Sequence, residues 1–532
     1  MKKILLTLFS LIAVCSGNAQ SRPKLVVGIV VDQMRWDYLY RYHERYGKDG
    51  FKRLMRDGFN CQNTYISYLP SYTAPGHTCI YTGSVPAIHG IAGNDWLEIP
   101  SGQSRYCTQD DKEQTVGSPS AAGRMSPRQM MVTTITDELR LATNFRSRVF
   151  GIALKDRGAI LPAGHKANGA YWFDDSTGNF ITSTYYQQQL PEWINKFNNA
   201  RWPDQFLKQN WLPLHPLATY TNSLPDDNAY EYLRKGEAMP VFPHITAGKG
   251  YKELRNTPFG NTLTLEMAKA CISGEELGAK GSTDFLCVSL SSTDYVGHAY
   301  APNSVEIEDV YLRLDQELGA FLRFLDKTQG KGNYLVFLSA DHGGAHNAAF
   351  LKDQQIPAGT LSETQVAKAL QQKLKSSFKA DSLIHGIYNY QVFLHEDQIR
   401  RKRLDRSRIK DSIIAFCSTL EGVALVADME HPDRVPQPIR DMLINGYYPR
   451  RSGDVALIYQ PAWYSSGDTR GTTHGSWNPY DTHIPLLWYG WHVPSGETFR
   501  KNSMSDIAAT LGALLHIQVP NGCVGSVLEF KN

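Results

Sequence analysis

The sequence predicts an α/β protein built on an open, doubly wound, mostly parallel β-sheet. Short β-branched runs are apolar almost throughout rather than alternating, as in strands covered on both faces. Stretches with helical spacing of apolar residues lie between them, giving a strand–helix–strand rhythm. The runs end in polar or charged residues, at the strand ends where ligands bind in such sheets. At 532 residues the chain exceeds the roughly 250–300 at which one core stops growing. It is therefore read as a large core carrying insertions.

The first element is a leader. Lys2 and Lys3 precede a mostly apolar run from Ile4 to Cys15, followed by Ser16, Gly17, Asn18 and Ala19. This pattern predicts a secretory signal peptide over residues 1–19 and export to the periplasm, the run being short for a membrane span. A lipid anchor at Cys15 competes, but Ile12-Ala13-Val14 is a poor approach to such a site. Losing Lys2 and Lys3 lowers the formal charge from +3 to about +1, so no basic field points to nucleic acid. No later stretch reaches the ~20 apolar residues of a transmembrane helix. Hydrophobic residues at 42% and charged residues at 20% exclude a disordered chain and a polytopic membrane protein.

The run from Lys24 to Val31 leads into Asp32, and a helix is expected to begin at Thr73. Ser126-Pro127-Arg128-Gln129 reads as a helix start, with a Ser cap, Pro at the first position and Gln as capping-box partner. A strand from Arg148 to Leu154 runs into Lys155, and one from Asp284 to Leu290 points towards Asp294. Ile307, Val310, Leu314, Leu318, Phe321 and Leu325 make one helical stripe. Tyr334 to Leu338 leads towards Asp341 and His342. Two regions break the rhythm: an aromatic, aperiodic cap insertion at about 168–262 and a small subdomain at about 352–453. The catalytic domain is taken as 20–532. The basic run Arg400 to Arg403, with Arg406, Arg408 and Lys410, reads as a solvated helix face. Among the eight cysteines, Cys79 and Cys287 read as buried thiols, and Cys61 with Cys107 is the candidate disulfide.

The strand ends and the loops after them collect Asp32, Asp294, His298, Asp341, His342 and His474. Asp294 and His298 are four apart and share a face on a helical turn. Mixed carboxylate and imidazole donors suit zinc, and manganese or iron less specifically. Three Asp and three His suffice for a two-metal clamp of the kind used in phosphoryl transfer. Thr73, at a helix start where free N–H groups favour phosphate oxygens, is the candidate nucleophile. Each residue alone has an ordinary explanation as a turn, a cap or a surface ion pair; the signal lies in the ordered set.

These residues resemble the alkaline phosphatase superfamily, and most closely its periplasmic phosphate-irrepressible alkaline phosphatases. The motifs are Val-Val-Asp32-Gln-Met-Arg, Tyr-Thr73-Ala-Pro-Gly-His, Gly-Asn94-Asp-Trp, Lys155-Asp-Arg157, Asp294-Tyr-Val-Gly-His298, Asp341-His342-Gly-Gly and Thr-His474-Gly-Ser. The resemblance implies that Asp294, His298 and His474 hold one zinc, and that Asp32, Thr73, Asp341 and His342 hold the other. His483 rivals His474, which is favoured because Thr-His-Gly matches the superfamily's ligand motif. Asn94, Lys155 and Arg157 would bind the phosphoryl oxygens; a fork and a point charge together fit a dianionic monoester. The implied protein is a zinc-dependent alkaline phosphatase with a phosphothreonine intermediate and a broad range of small monoesters, serving phosphate scavenging as a monomer.

The enzymatic alternative is a nucleotide pyrophosphatase/phosphodiesterase on the same fold. The non-enzymatic one is a surface-binding protein that has lost catalysis, against which the complete ligand set argues. A sulfatase is disfavoured because the Thr73 segment lacks the Cys/Ser-x-Pro-x-Arg sequence that matures to formylglycine.

Overall fold

The computed structural model describes residues 22–99 and 101–531. The leader and Cys15 lie outside the described residues.

Ten strands make the main sheet: β1 (Leu25–Val31), β2 (Phe59–Cys61), β3 (Thr115–Val116), β4 (Val149–Ala153) and β5 (Gly169–Asp174), then β6 (Asn179–Ser183), β7 (Asp284–Leu290), β8 (Tyr334–Ser339), β9 (Leu486–Gly490) and β10 (Gly496–Thr498). Their order is β10-β2-β9-β8-β1-β7-β4-β5-β6-β3. The five central strands β8, β1, β7, β4 and β5 are parallel. Antiparallel pairing brings β9 onto β8 on one side and β6 onto β5 on the other. All seven residues of both β1 and β7 are buried, which is why neither alternates. The doubly wound, mostly parallel sheet is as the sequence predicts.

The helices that matter for the site are α1 (Thr73–Thr82), α2 (Ile135–Ala142), α3 (Asp156–Ala163), α4 (Ser292–Tyr300) and α5 (Val305–Gln329). The apolar stripe of α5 packs into the main core, and the Ser304 side chain caps its start by accepting from the Ile307 N–H. Among the described residues no helix is long and apolar enough to cross a membrane.

Several expectations change. Ser126 does not start a helix: its hydroxyl donates to Asp110, which Arg128 also engages, so the segment is tied into a turn. The helix starts nine residues later, where Thr134 and Asp137 form a reciprocal capping box. Thr134→Ala is expected to cost about 1 kcal/mol, read as a lower midpoint in thermal or urea unfolding. Next, the strand expected to run from Arg148 to Leu154 into Lys155 spans Val149–Ala153; Lys155 is the N-cap residue of α3 and Arg157 lies in its first turn. The region expected to be a cap from 168 begins with β5 and β6, both in the main sheet, whose apolar residues are hidden among Tyr, Trp and Asn. Finally, Cys61 and Cys107 are separate buried thiols, and all seven described cysteines are free.

Residues 384–459 carry a four-stranded antiparallel sheet with its own core, including Ile409 and Val455, which runs slightly past the C-terminal limit of about 453 read from the sequence. The basic run there is partly neutralised: Arg406 pairs with Glu396, Glu430 and Asp454, and Lys410 with Asp428 and Glu430. Lys410 is thus a buried ion-pair partner rather than part of a solvated face.

Candidate active site

Sheet register assembles the site. Val31 lies opposite Leu290, Val30 opposite Ser339, and Ser289 opposite Ala153. The central strands therefore end level, and the residues that follow, Asp32, Asp341 and Lys155, emerge at one edge. After β7 the chain turns directly into α4, which carries Asp294 in its first turn and His298 in its last. His474 arrives on a loop whose backbone bonds include Thr472 N–H to the His298 carbonyl at 3.0 Å, Ala345 N–H to the Thr473 carbonyl at 3.1 Å and Ser71 N–H to the Gly475 carbonyl at 3.4 Å.

Thr73 is the first residue of α1, after Tyr72, which provides no side-chain cap. Its Oγ1 lies 3.3 Å from His342 Nε2. One N–H at this helix end is already taken: Ala74 N–H donates to Asn94 Oδ1 at 2.9 Å, which sets the Asn94 amide beside Thr73. The approach of α1 to the Asp341 loop depends on Gly76, where a Cβ would sit 2.4 Å from the Asp341 carbonyl oxygen. Gly76→Ala is expected to push Thr73 and Asp341 apart, lowering both activity and bound metal, as measured by kcat/KM and elemental analysis.

Metal-binding capacity follows from what the donors lack. Each of His298, His342 and His474 turns Nδ1 to a backbone carbonyl, those of Thr472, Gly343 and Ser71, at 2.8, 2.9 and 2.8 Å. With the proton on Nδ1, Nε2 presents a lone pair to the centre, the arrangement that metal-ligating histidines use. Asp32 Oδ1 and Asp341 Oδ2 are buried without a hydrogen-bond partner. Asp294, His342 and His474 form one group whose donor atoms lie within 4.8 Å of one another, and Asp32, Asp341 and His342 form a second. His298 Nε2 stands 3.2 Å from Asp294 Oδ1. The geometry thus brings together all six Asp and His residues singled out in the sequence, with His342 touching both groups. Its ring stacks on that of His474 at 3.5 Å between centroids. The donor set fits two divalent cations.

His483 is elsewhere. Its ring is sandwiched between Trp36 and Tyr65, and its Nε2 bonds the Gln62 carbonyl at 2.9 Å. His474→Ala is expected to reduce bound metal, and His483→Gln to leave it unchanged; elemental analysis of the two proteins separates the roles.

The electrostatics are those of crowded carboxylates around one ammonium. Lys155 Nζ bonds Asp32 Oδ2 at 2.6 Å and Asp294 Oδ2 at 2.5 Å, fully buried. Burial, then the neighbouring Asp341, push the Asp32 carboxyl well above its ordinary range. Burial acts in the same direction on Asp294, but Lys155 and His298 outweigh it and hold that carboxyl well below. Burial, with His342 and His298 close by, keeps His474 neutral by lowering its pKa strongly. A neutral His474 imidazole beside an ionised Asp294 is the state a metal ion requires.

Arg157, in the first turn of α3, donates from Nη1 to Tyr106 Oη at 3.0 Å. Tyr106 in turn donates to Asp156 Oδ1 at 2.8 Å, so it fixes the guanidinium. Two residues escaped the sequence reading. Tyr106 had no motif around it. Gln33 sits beside Asp32 in left-handed conformation (φ 62°), with its N–H on Asp341 Oδ1 at 3.1 Å and its amide on Asp294 Oδ1 at 2.8 Å. It braces carboxylates of both groups; the signal available was its place directly after the strand-end Asp.

A family model described as type I phosphodiesterase / nucleotide pyrophosphatase matches residues 26–481, most of the chain. The chain belongs to this family. As a member of the type I phosphodiesterase / nucleotide pyrophosphatase family it falls in the alkaline phosphatase superfamily, as its motifs suggested. It is 52% identical over 522 residues to alkaline phosphatase PhoV of Synechococcus elongatus, covering 96% of this chain and 92% of that one. It is 51% identical over 526 residues to a Myroides odoratus protein named calcium-transporting ATPase, with 97% and 96% covered. Alkaline phosphatase PafA of Elizabethkingia meningoseptica is 49% identical over 515 residues, covering 96% and 94%. The crystal structure of PafA superposes with a TM-score of 0.94 at 48% identity, over 96% of this chain and 99% of that one. A PafA variant has also been solved in which a threonine, an asparagine, a lysine and an arginine are replaced.

Proposed function

We propose that this family member is an alkaline phosphatase, a metal-dependent phosphomonoesterase that works through a phosphothreonine at Thr73. The observation that carries the reading is the convergence of a helix-terminal hydroxyl, a double set of Asp and His donors, and Lys155 in one buried site. Relatives named alkaline phosphatase, about half identical over nearly the full length, support it. So does the PafA variant: its four replaced residues are separated by 21, 62 and 2 positions, and Thr73, Asn94, Lys155 and Arg157 by 21, 61 and 2.

Asp294, His298 and His474 would hold one cation, and Asp32, Thr73, Asp341 and His342 the other, both zinc on donor chemistry. Bound there, the two cations would supply Lewis acidity, acidifying the Thr73 hydroxyl and offsetting charge on the leaving oxygen. Thr73 Oγ1 attacks phosphorus in line; the Oγ1–P bond forms, the ester P–O bond breaks, and the alcohol leaves with the proton that the Thr73 hydroxyl gives up. Water then cleaves the phosphothreonine, restoring the hydroxyl and releasing phosphate. The N-terminus of α1 and the Asn94 amide favour the phosphoryl oxygens. With cations held by Asp32 and Asp294, Lys155 Nζ would be free to donate to the same oxygens, to which Arg157 would add its fork. Two side-chain cations suit the second negative charge that a monoester has and a diester lacks.

Replacing Lys155 and Arg157 together by alanine is expected to lower monoester kcat/KM by roughly 10²–10⁴-fold, with a much smaller effect on an aryl diester. Equal losses on both substrates, or no loss on the monoester, would contradict the assignment. The basic, apolar and small-residue pattern of residues 1–19 supports export to the periplasm.

A further inference from the structure

The four-stranded sheet of residues 384–459 reaches the active site through one two-residue turn. Its strands Ile384–Tyr388 and Gln391–Leu394 pair antiparallel, with Tyr388 opposite Gln391, so Asn389 and Tyr390 alone make the connection. Both have positive φ, 55° and 63°. Two-residue turns of this kind favour Asn followed by Gly, because both positions lie in the left-handed region. Asn389 fits that rule. Tyr390 breaks it, since a bulky side chain is disfavoured there. Residues kept in disfavoured backbone are held by their surroundings and gather at functional sites. The hold is visible here: Tyr390 N–H donates to Glu363 Oε1 at 2.7 Å, its carbonyl accepts from Leu457 N–H at 2.8 Å, and its side chain is buried.

The two side chains reach two different parts of the site. Tyr390 Oη donates to the carbonyl of His474 at 3.2 Å, and its ring stacks on Tyr72, the residue before Thr73, at 6.4 Å between centroids. The Tyr72 ring in turn meets the His474 ring edge-on at 5.4 Å. Asn389 Nδ2 donates to the carbonyl of Asp95, next to Asn94, at 2.7 Å. Each approach is made over a glycine. A Cβ on Gly93 would lie 2.7 Å from Asn389 Nδ2, and one on Gly475 2.8 Å from Tyr390 Cε2. Gly93 and Gly475 directly flank Asn94 and His474. Asn-Gly would close the hairpin equally well, so the turn itself does not call for the tyrosine.

We propose that Asn389 and Tyr390 are positioning residues for the active site, a role that rests on the metal-dependent phosphatase reading above. Asn389 fixes the turn from which the Asn94 amide is presented to the phosphoryl group. Tyr390 fixes the backbone from which His474 extends, while the Ser71 carbonyl fixes its ring. Neither residue touches the reacting atoms; the subdomain acts through the two residues they brace.

The test uses the full-length, zinc-loaded protein. Asn389→Gly suits the left-handed backbone and removes only the amide, and Tyr390→Phe keeps the ring and removes only the hydroxyl. Tyr390→Phe is expected to lose zinc to a competing chelator with roughly 10–100-fold lower affinity than the wild type, the scale for partners that orient ligating residues. Elemental analysis after gel filtration reads this without reference to activity. Asn389→Gly is expected to keep its zinc and to lower kcat/KM for an aryl phosphate by roughly 10–10²-fold. Placed on Asn94→Ala, the same substitution is expected to have no further effect, because its route to substrate is gone. Unchanged zinc affinity in Tyr390→Phe, no loss of activity in Asn389→Gly, or a loss that persists undiminished on Asn94→Ala would overturn the proposal. A wild-type protein that turns over an aryl diester faster than the monoester would instead count against the phosphatase reading. The zinc measurement, and the same pair of substitutions assayed on the diester, would then still decide the positioning role.

Discussion

Thr73→Ala is expected to abolish formation of a covalent phosphoenzyme and to lower kcat/KM for an aryl phosphate by roughly 10⁴–10⁶-fold, the scale on which removing a nucleophile acts. The size of the effect follows from where the hydroxyl sits. It is buried at the first position of α1, 3.3 Å from His342 Nε2, with the Asn94 carbonyl already fixing the next N–H of the helix. Water entering the vacated space would meet the same cations and dipoles but would lack the fixed in-line placement of Oγ1. Acid-quenched protein incubated with labelled substrate, digested and sequenced, checks the outcome. Label persisting on the alanine protein would move the nucleophile elsewhere.

Removal of metal is the second large effect. Dialysis against a strong chelator is expected to reduce turnover to background, and zinc to restore it. The donors left behind explain why loss should be complete. Asp32 Oδ1 and Asp341 Oδ2 are buried with no partner, and one ammonium, Lys155, is shared between Asp32 and Asp294. Without cations Lys155 is held by these carboxylates and is withheld from substrate. Chelation should also lower the thermal midpoint, since cations bound only by the folded chain add to its stability. Full activity after chelation, with fewer than two transition ions per chain by elemental analysis, would refute the two-metal reading.

Much of the fold was legible because the central strands are buried on both faces. Leu25–Val31 and Asp284–Leu290 offer little polar interruption, so runs of apolar residues marked them and the charged residues that follow marked the site. What escaped lies at the margins. Gly169–Asp174 and Asn179–Ser183 carry their apolar residues amid aromatic and polar neighbours, so periodicity did not separate them from the aperiodic stretch that follows. Ser126 satisfies the local grammar of a helix start, yet its pairing with Asp110, sixteen residues earlier, decides otherwise. Lys155 and Arg157 were found as a motif, but their placement depends on the strand ending at Ala153 and on Tyr106, fifty-one residues before Arg157. Gln33 and Tyr106 act through contacts that no local pattern encodes.

The family model is named for phosphodiesterases, while the chain shares about half its residues, over nearly its full length, with alkaline phosphatases PhoV and PafA. In the proposed mechanism Lys155 and Arg157 are the two side-chain cations that would favour a dianionic phosphoryl group. Parallel measurement of kcat/KM for an aryl phosphate monoester and the matching diester, on the zinc-loaded protein, addresses this most directly. A large preference for the monoester is expected; faster turnover of the diester would contradict the monoesterase assignment.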